Sequence, residues 1–162
     1  MDSQRKIHKF NNGEAVEAGD GKPRIENNQA ATQLEAAMLD MPQYEPETEH
    51  IFGPGVYIRQ VSIKAGATLV GHHHKTEHLT IVLKGRIAFA TEDGPIIVEG
   101  PATFLSQPGR KAVHALTDCV VQNILATTET DIEKIEDQFI EKSEAWIAAN
   151  DAAKLAQKEE GI

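Results

Sequence analysis

Between residues 50 and 126 the chain is a succession of short β-rich runs cut by glycine turns, which limits the possible folds more than any other feature. GVYIRQVSI, TLVG, HLTIVL, RIAFA, PIIVE, ATFLSQ, KAVHAL and CVVQNILA follow one another. Their separators are Ala65-Gly66, Lys84-Gly85, Glu92-Asp93-Gly94, Glu99-Gly100, Pro108-Gly109 and Thr117-Asp118. β-Branched residues dominate the runs, and none is long enough for an ordinary helix. Asp-Gly between two such runs is a strong hairpin signal. Closely spaced short strands of this kind predict a small antiparallel sandwich or barrel.

The flanks follow other periods. Residues 1–26 are polar and Gly-containing and are expected to be disordered or loosely attached. In 27–49 the residues Ala30, Ala31, Leu34, Ala37, Met38 and Met41 recur at helical spacing, Pro42 ends the helix, and Pro46 keeps an extended lead-in. After Ala126, Thr130 and Glu133 form a capping-box pattern. Ile132, Ile135, Phe139, Ile140, Trp146 and Ile147 then supply an apolar stripe over 131–148. Both helices are expected to dock outside the strand-rich domain.

Charge follows the same boundaries. Residues 1–49 carry 5 basic and 10 acidic side chains, 50–126 carry 7 and 5, and 127–162 carry 4 and 10, within a total of −9. An acidic chain lacks the basic face that phosphate contacts demand, so neither nucleic acid nor an anionic membrane is an expected partner. One cysteine, Cys119, excludes an internal disulfide framework and a cysteine zinc site, and is expected to be a buried apolar residue. No apolar run approaches a membrane span, and MDSQRKIHKF lacks a signal-peptide core, so a soluble cytoplasmic protein is expected.

Four of the seven histidines, His72, His73, His74 and His78, fall within seven residues. On an extended strand His72 and His74 leave one face while His73 leaves the other. A tight connection through Lys75, Thr76 and Glu77 can bring His78 back against them, and His114 lies in a distant strand. Imidazoles converging from separate strands make a nitrogen-rich site that suits Zn, Cu, Fe or Ni better than Ca or Mg.

Gly66, five residues, His72, one residue, His74, three residues, His78, six residues and Gly85 resemble the first motif of the cupin superfamily, G-x5-H-x-H-x3/4-E-x6-G. Pro108-Gly109, followed by His114 after four residues, resembles the second motif more loosely. The likeness covers roughly residues 50–126. It implies an all-β, cupin-type jelly-roll barrel with flanking N- and C-terminal helices, and a homodimer. Around the polar N-terminus and the acidic helix after ATTETD the chain is also similar to small cupins encoded by bacteriophages.

This chain has His78 where the motif has glutamate. His72, His74, His78 and His114 are therefore the expected ligands of a divalent Fe, Mn, Zn, Ni or Cu ion, with a set containing Glu77 as the alternative. Four neutral imidazoles leave the ion its full +2 charge, which favours an anionic oxygen ligand but supplies no carboxylate base.

Other candidates surround this set. Thr80 and Val82 share the parity of His78, and Arg59 shares that of Tyr57 and can bind a carboxylate or phosphate. Gln122 and Asn123 lie on opposite faces of one strand, so one of them faces the cavity. Arg59, Thr80 and Gln122 are the expected ligand contacts. Trp146 is expected in the helix core or as a lid. Two classes of function follow. One is a metal-dependent oxygenase, lyase or isomerase on a small polar or anionic molecule, with Tyr57, Glu77 or Glu99 as acid or base. The other is a non-catalytic cupin serving as a sensor or as an interaction or structural module.

Overall fold

The computed structural model describes residues 28–41, 44–91 and 94–161, and only the backbone for 28–32. The expectations for residues 1–26, for Pro42 and for Glu92-Asp93 lie outside the described residues. Helix α1 (Asn28–Met38) leads into β1 (Glu47–Gly53), β2 (Val56–Ile63), β3 (Thr68–Val70), β4 (His73–His74) and β5 (His78–Lys84). There follow β6 (Arg86–Phe89), β7 (Ile96–Glu99), β8 (Ala102–Ser106), β9 (Ala112–Ala115) and β10 (Cys119–Ala126). The chain then forms α2 (Ile132–Phe139), β11 (Ile140–Glu141) and α3 (Glu144–Glu160).

The strands pair from the outside inward, all antiparallel. β2 lies on β10, β3 on β9, β5 on β8 and β6 on β7. This is a long hairpin rolled up so that its successive quarters alternate between two sheets. The sheets run β1-β2-β10-β5-β8 and β3-β9-β6-β7. That winding is the jelly roll, the architecture of the cupins.

Alternation along each strand sends one set of side chains between the sheets. Val61, Ile63, Val82, Phe104 and Cys119 enter from one sheet, and Ile87, Phe89, Val98 and Ala115 from the other. Phe89 and Phe104 meet edge to face across the gap, with ring centroids 5.5 Å apart. Burial of each large side chain contributes about 1.5–3 kcal/mol, which this core supplies without a disulfide. The chain changes sheets at Gly85, between β5 and β6. Its φ is 91°, and a Cβ there would stand 2.3 Å from the Asp118 carbonyl oxygen, so only glycine fits.

A second apolar cluster closes one end. Tyr57 and Leu125, at the ends of β2 and β10, pack against Ile135 and Phe139 of α2. The expected helix over 131–148 is in fact two. Asp131, not Thr130, caps the first by accepting from the Glu133 and Lys134 amides. Ile140–Glu141 then leave the helix to pair with His73–His74, and Ser143 caps α3. The extended lead-in is partly a strand as well, since β1 begins at Glu47 and forms an exposed edge on β2. No helix among the described residues is long and apolar enough to cross a membrane.

Candidate metal centre

The histidines gather where β4 and β5 approach the α2 end of the jelly roll. His78, Thr80 and Val82 are buried on the inner face of β5, as their shared parity predicts. His74 is fixed by its backbone, which exchanges two 2.9 Å hydrogen bonds with Gly109 of the Pro108-Gly109 turn and also pairs with Ile140. Its ring stacks on that of His78, with centroids 4.4 Å apart and 25° between planes.

Both rings are neutral. Burial first, then the neighbouring His78, Lys111 and Arg59, push His74 down to about 2. Burial and Lys111 push His78 down to about 4, against raising contacts from the Thr76 carbonyl, 3.3 Å from Nδ1, and from the Asn123 side chain, which lies near the ring without meeting hydrogen-bond geometry. Two buried nitrogens of this pair, His74 Nδ1 and His78 Nε2, have no hydrogen-bond partner.

His72 stands to one side. Residues 71–72 lie outside the strand ladders, so the alternation expected from His72 to His74 is interrupted. Its ring meets Trp146 edge to face at 4.9 Å, and its buried Nδ1 also lacks a partner. Burial, then Lys142, lowers its pKa, opposed in part by Glu35. Trp146 is thus half-buried against a histidine rather than in a helix core, and Lys142 covers its ring at 5.1 Å.

His114 is not brought to the others. Its neighbours Val113 and Ala115 pack on the core, which puts His114 on the outer face of β9, where Nδ1 is 2.8 Å from Thr68 Oγ1. The four-histidine convergence expected from sequence is therefore corrected to a pair, His74 and His78, with His72 beside it. Among the described residues no group of three or more His, Cys, Asp or Glu side chains is placed to hold a metal ion.

The ligand-contact expectations divide similarly. Thr80 is inside, its hydroxyl 2.7 Å from Ser106 Oγ and 3.3 Å from Asn123 Oδ1. Arg59 has the inward parity of Tyr57 and Val61, sits opposite Asn123 in the sheet, and acts on His74 while keeping solvent access. Gln122 is corrected: it donates to Gln60 Oε1 at 2.7 Å on the outer face, and Asn123 is the inward residue. Val121 and Leu125, which share the parity of Asn123, pack on the two apolar clusters. Ser106, not among the residues expected from sequence, is the buried cross-strand neighbour of His78. Its alternation with the buried Phe104 was the available signal.

Neutral imidazoles with unpartnered buried nitrogens are what a transition-metal ion requires, and the His74–His78 pair supplies two of them. The third imidazole with an unpartnered nitrogen, His72, has its ring turned toward Trp146.

No family model matches the chain, and no curated protein matches it. Solved structures do. A cupin superfamily protein from Desulfitobacterium hafniense is 13% identical, with 57% of this chain and 86% of that one covered at a TM-score of 0.44. An RmlC-like cupin family protein with a double-stranded β-helix fold from Methanocaldococcus jannaschii is 12% identical, covering 51% and 81% at 0.44. KdgF from Halomonas sp. is 16% identical, covering 52% and 81% at 0.43. The strand winding makes this chain a jelly roll, and its Gly66–Gly85 segment resembles the first cupin motif.

Proposed function

We propose that this is a metal-binding cupin-type protein that holds a divalent transition ion at His74 and His78, with His72 as the third donor, and takes a small polar or anionic molecule there. The observation that carries the reading is the stacked, neutral pair whose buried His74 Nδ1 and His78 Nε2 have no hydrogen-bond partner. Leaving such atoms unsatisfied costs about 1–3 kcal/mol each, a cost that coordination would offset. The ion would act as a Lewis acid toward an oxygen ligand. Thr80, Ser106 and Asn123 on the inner face, with Arg59 at its solvent-exposed edge, would orient that ligand.

Binding is a better-supported role than turnover. Of the expected acids and bases, Tyr57 lies in the second apolar cluster with its hydroxyl engaged in a 2.7 Å hydrogen bond with His50 Nδ1. Glu99 is exposed on β7, in the other sheet, and Glu77 has the parity opposite to the inward His78. A sensor or accessory role therefore stands ahead of oxygenase, lyase or isomerase chemistry. A cytoplasmic homodimer completes the proposal.

Titration calorimetry with Zn²⁺ tests it. Wild type should take one ion, and His74→Ala and His78→Ala should each weaken binding at least tenfold. His114→Ala should bind like wild type. If His114→Ala lost the ion and His74→Ala did not, the assignment would be wrong.

A further inference from the structure

We propose that Glu35 is a positioning residue for the histidine centre, acting through Arg110 on the His72–His74 segment and through Ser143 on Trp146. Glu35 belongs to α1, which lies outside the jelly roll against β3 and β9. Glu35 and Arg110 are each 5% exposed, and the guanidinium grips both carboxylate oxygens, with Nη1 donating to Oε1 at 3.1 Å. A buried ion pair is tolerable only when its remaining donors are satisfied. Here Arg110 Nε donates to the Gly71 carbonyl at 3.0 Å, which fixes the residue immediately before His72.

The second route starts from the same carboxylate. Glu35 Oε1 also accepts from the Ser143 hydroxyl, although the two residues are 108 apart in sequence. Ser143 in turn caps α3 by accepting from the Trp146 amide at 3.1 Å. That cap sets where the helix begins and so where Trp146 meets His72. One buried carboxylate therefore fixes both the backbone that presents His72 and the ring that packs on it. Both routes run through the flanking helices α1 and α3, which lie outside the strand ladder.

The inference rests on the proposed metal site for its ligand consequence, while the Trp146 contact can be read independently. Trp146 is the only tryptophan, so tryptophan emission reports the surroundings of this one ring, the His72 edge and Lys142 above it. The experiment titrates the full chain with Ni²⁺ and records Trp146 emission for wild type, Glu35→Gln, Ser143→Ala and Ser143→Thr. Glu35→Gln should raise the Kd for Ni²⁺ about tenfold, the range for groups that orient ligands from outside the coordination sphere, and shift the emission to the red. Ser143→Ala should show a smaller change in the same direction, rescued by the retained hydroxyl of Ser143→Thr. If wild type binds Ni²⁺ and Glu35→Gln has the same Kd, the positioning role is overturned. If wild type takes no Ni²⁺, the metal reading fails instead, and emission decides the positioning role: red-shifted in Glu35→Gln supports it, unchanged overturns it. Should Glu35→Gln not fold, Ser143→Ala, which leaves the Glu35–Arg110 pair intact, is read by the same two criteria.

Discussion

Mild acid should destabilise the metal-free protein well above the carboxylate range, because the folded state keeps His74 and His78 neutral. Their folded pKa values, about 2 and about 4, lie below the 6.5 expected of an unfolded histidine. The unfolded chain therefore binds more protons, and stability falls as pH drops below 6.5, continuing to about pH 4 for His78. At about 1.36 kcal/mol per pK unit, each ring costs about 2 kcal/mol by pH 5. The two rings abut and titrate as a pair, so the loss at pH 5 is about 2–4 kcal/mol. His72, also lowered by burial, adds to it with the same sign. Glu35 does not contribute in this window. Burial raises its carboxyl, but hydrogen bonds from Arg110 and Ser143 outweigh that and hold it below 4.5, so its share is lost only at lower pH. Against a typical total of about 5–15 kcal/mol, a loss of 2–4 is easily measured. Urea unfolding of the chelator-treated protein at pH 7.5, 6.5, 5.5 and 5.0 gives the slope. His78→Gln should flatten it by about 1.4 kcal/mol per pH unit below 6.5. Parallel slopes for wild type and His78→Gln would mean that His78 is not held neutral by the fold.

Phe139→Ala, which empties the cluster of Tyr57, Leu125 and Ile135, should cost about 3–5 kcal/mol in urea unfolding at pH 7.5. Gly85→Ala forces a Cβ to 2.3 Å from the Asp118 carbonyl at a positive φ, and should lower stability by more than about 2 kcal/mol in the same assay. Light scattering after size exclusion should give a mass twice 17.7 kDa, and a monomer would remove the dimer from the proposal.

The jelly roll is legible in the sequence because period-two alternation and glycine turns mark nearly every strand, and the two motif glycines sit where the chain changes sheets. His78 is legible for the same reason, since His78, Thr80 and Val82 alternate cleanly with Leu79, Ile81 and Leu83. His114 is not. In β9 the outward Ala112 is as buried as the inward Ala115, consistent with α1 lying against this sheet, so AVHA carries no readable alternation. Gln122 and Asn123 fail similarly, because Val120 and Ile124 flank one parity as apolar as Val121 and Leu125 on the other. The break at Ile140 is tertiary: pairing with His74 competes with the helix, and nothing local in DQFIEKSEAW announces it beyond Ser143. β1 was hidden by its charge, since an exposed edge strand has no buried face to pattern.

In the proposed site His74 and His78, not His114, carry the metal. Long-range ¹H–¹⁵N spectra of the histidine rings, recorded while Zn²⁺ is added at pH 7.5, test this atom by atom. His74 Nδ1 and His78 Nε2 should move to metal-bound shifts at one equivalent while both His114 nitrogens stay in place. Movement of His114, or no movement at His74 and His78, would contradict this assignment.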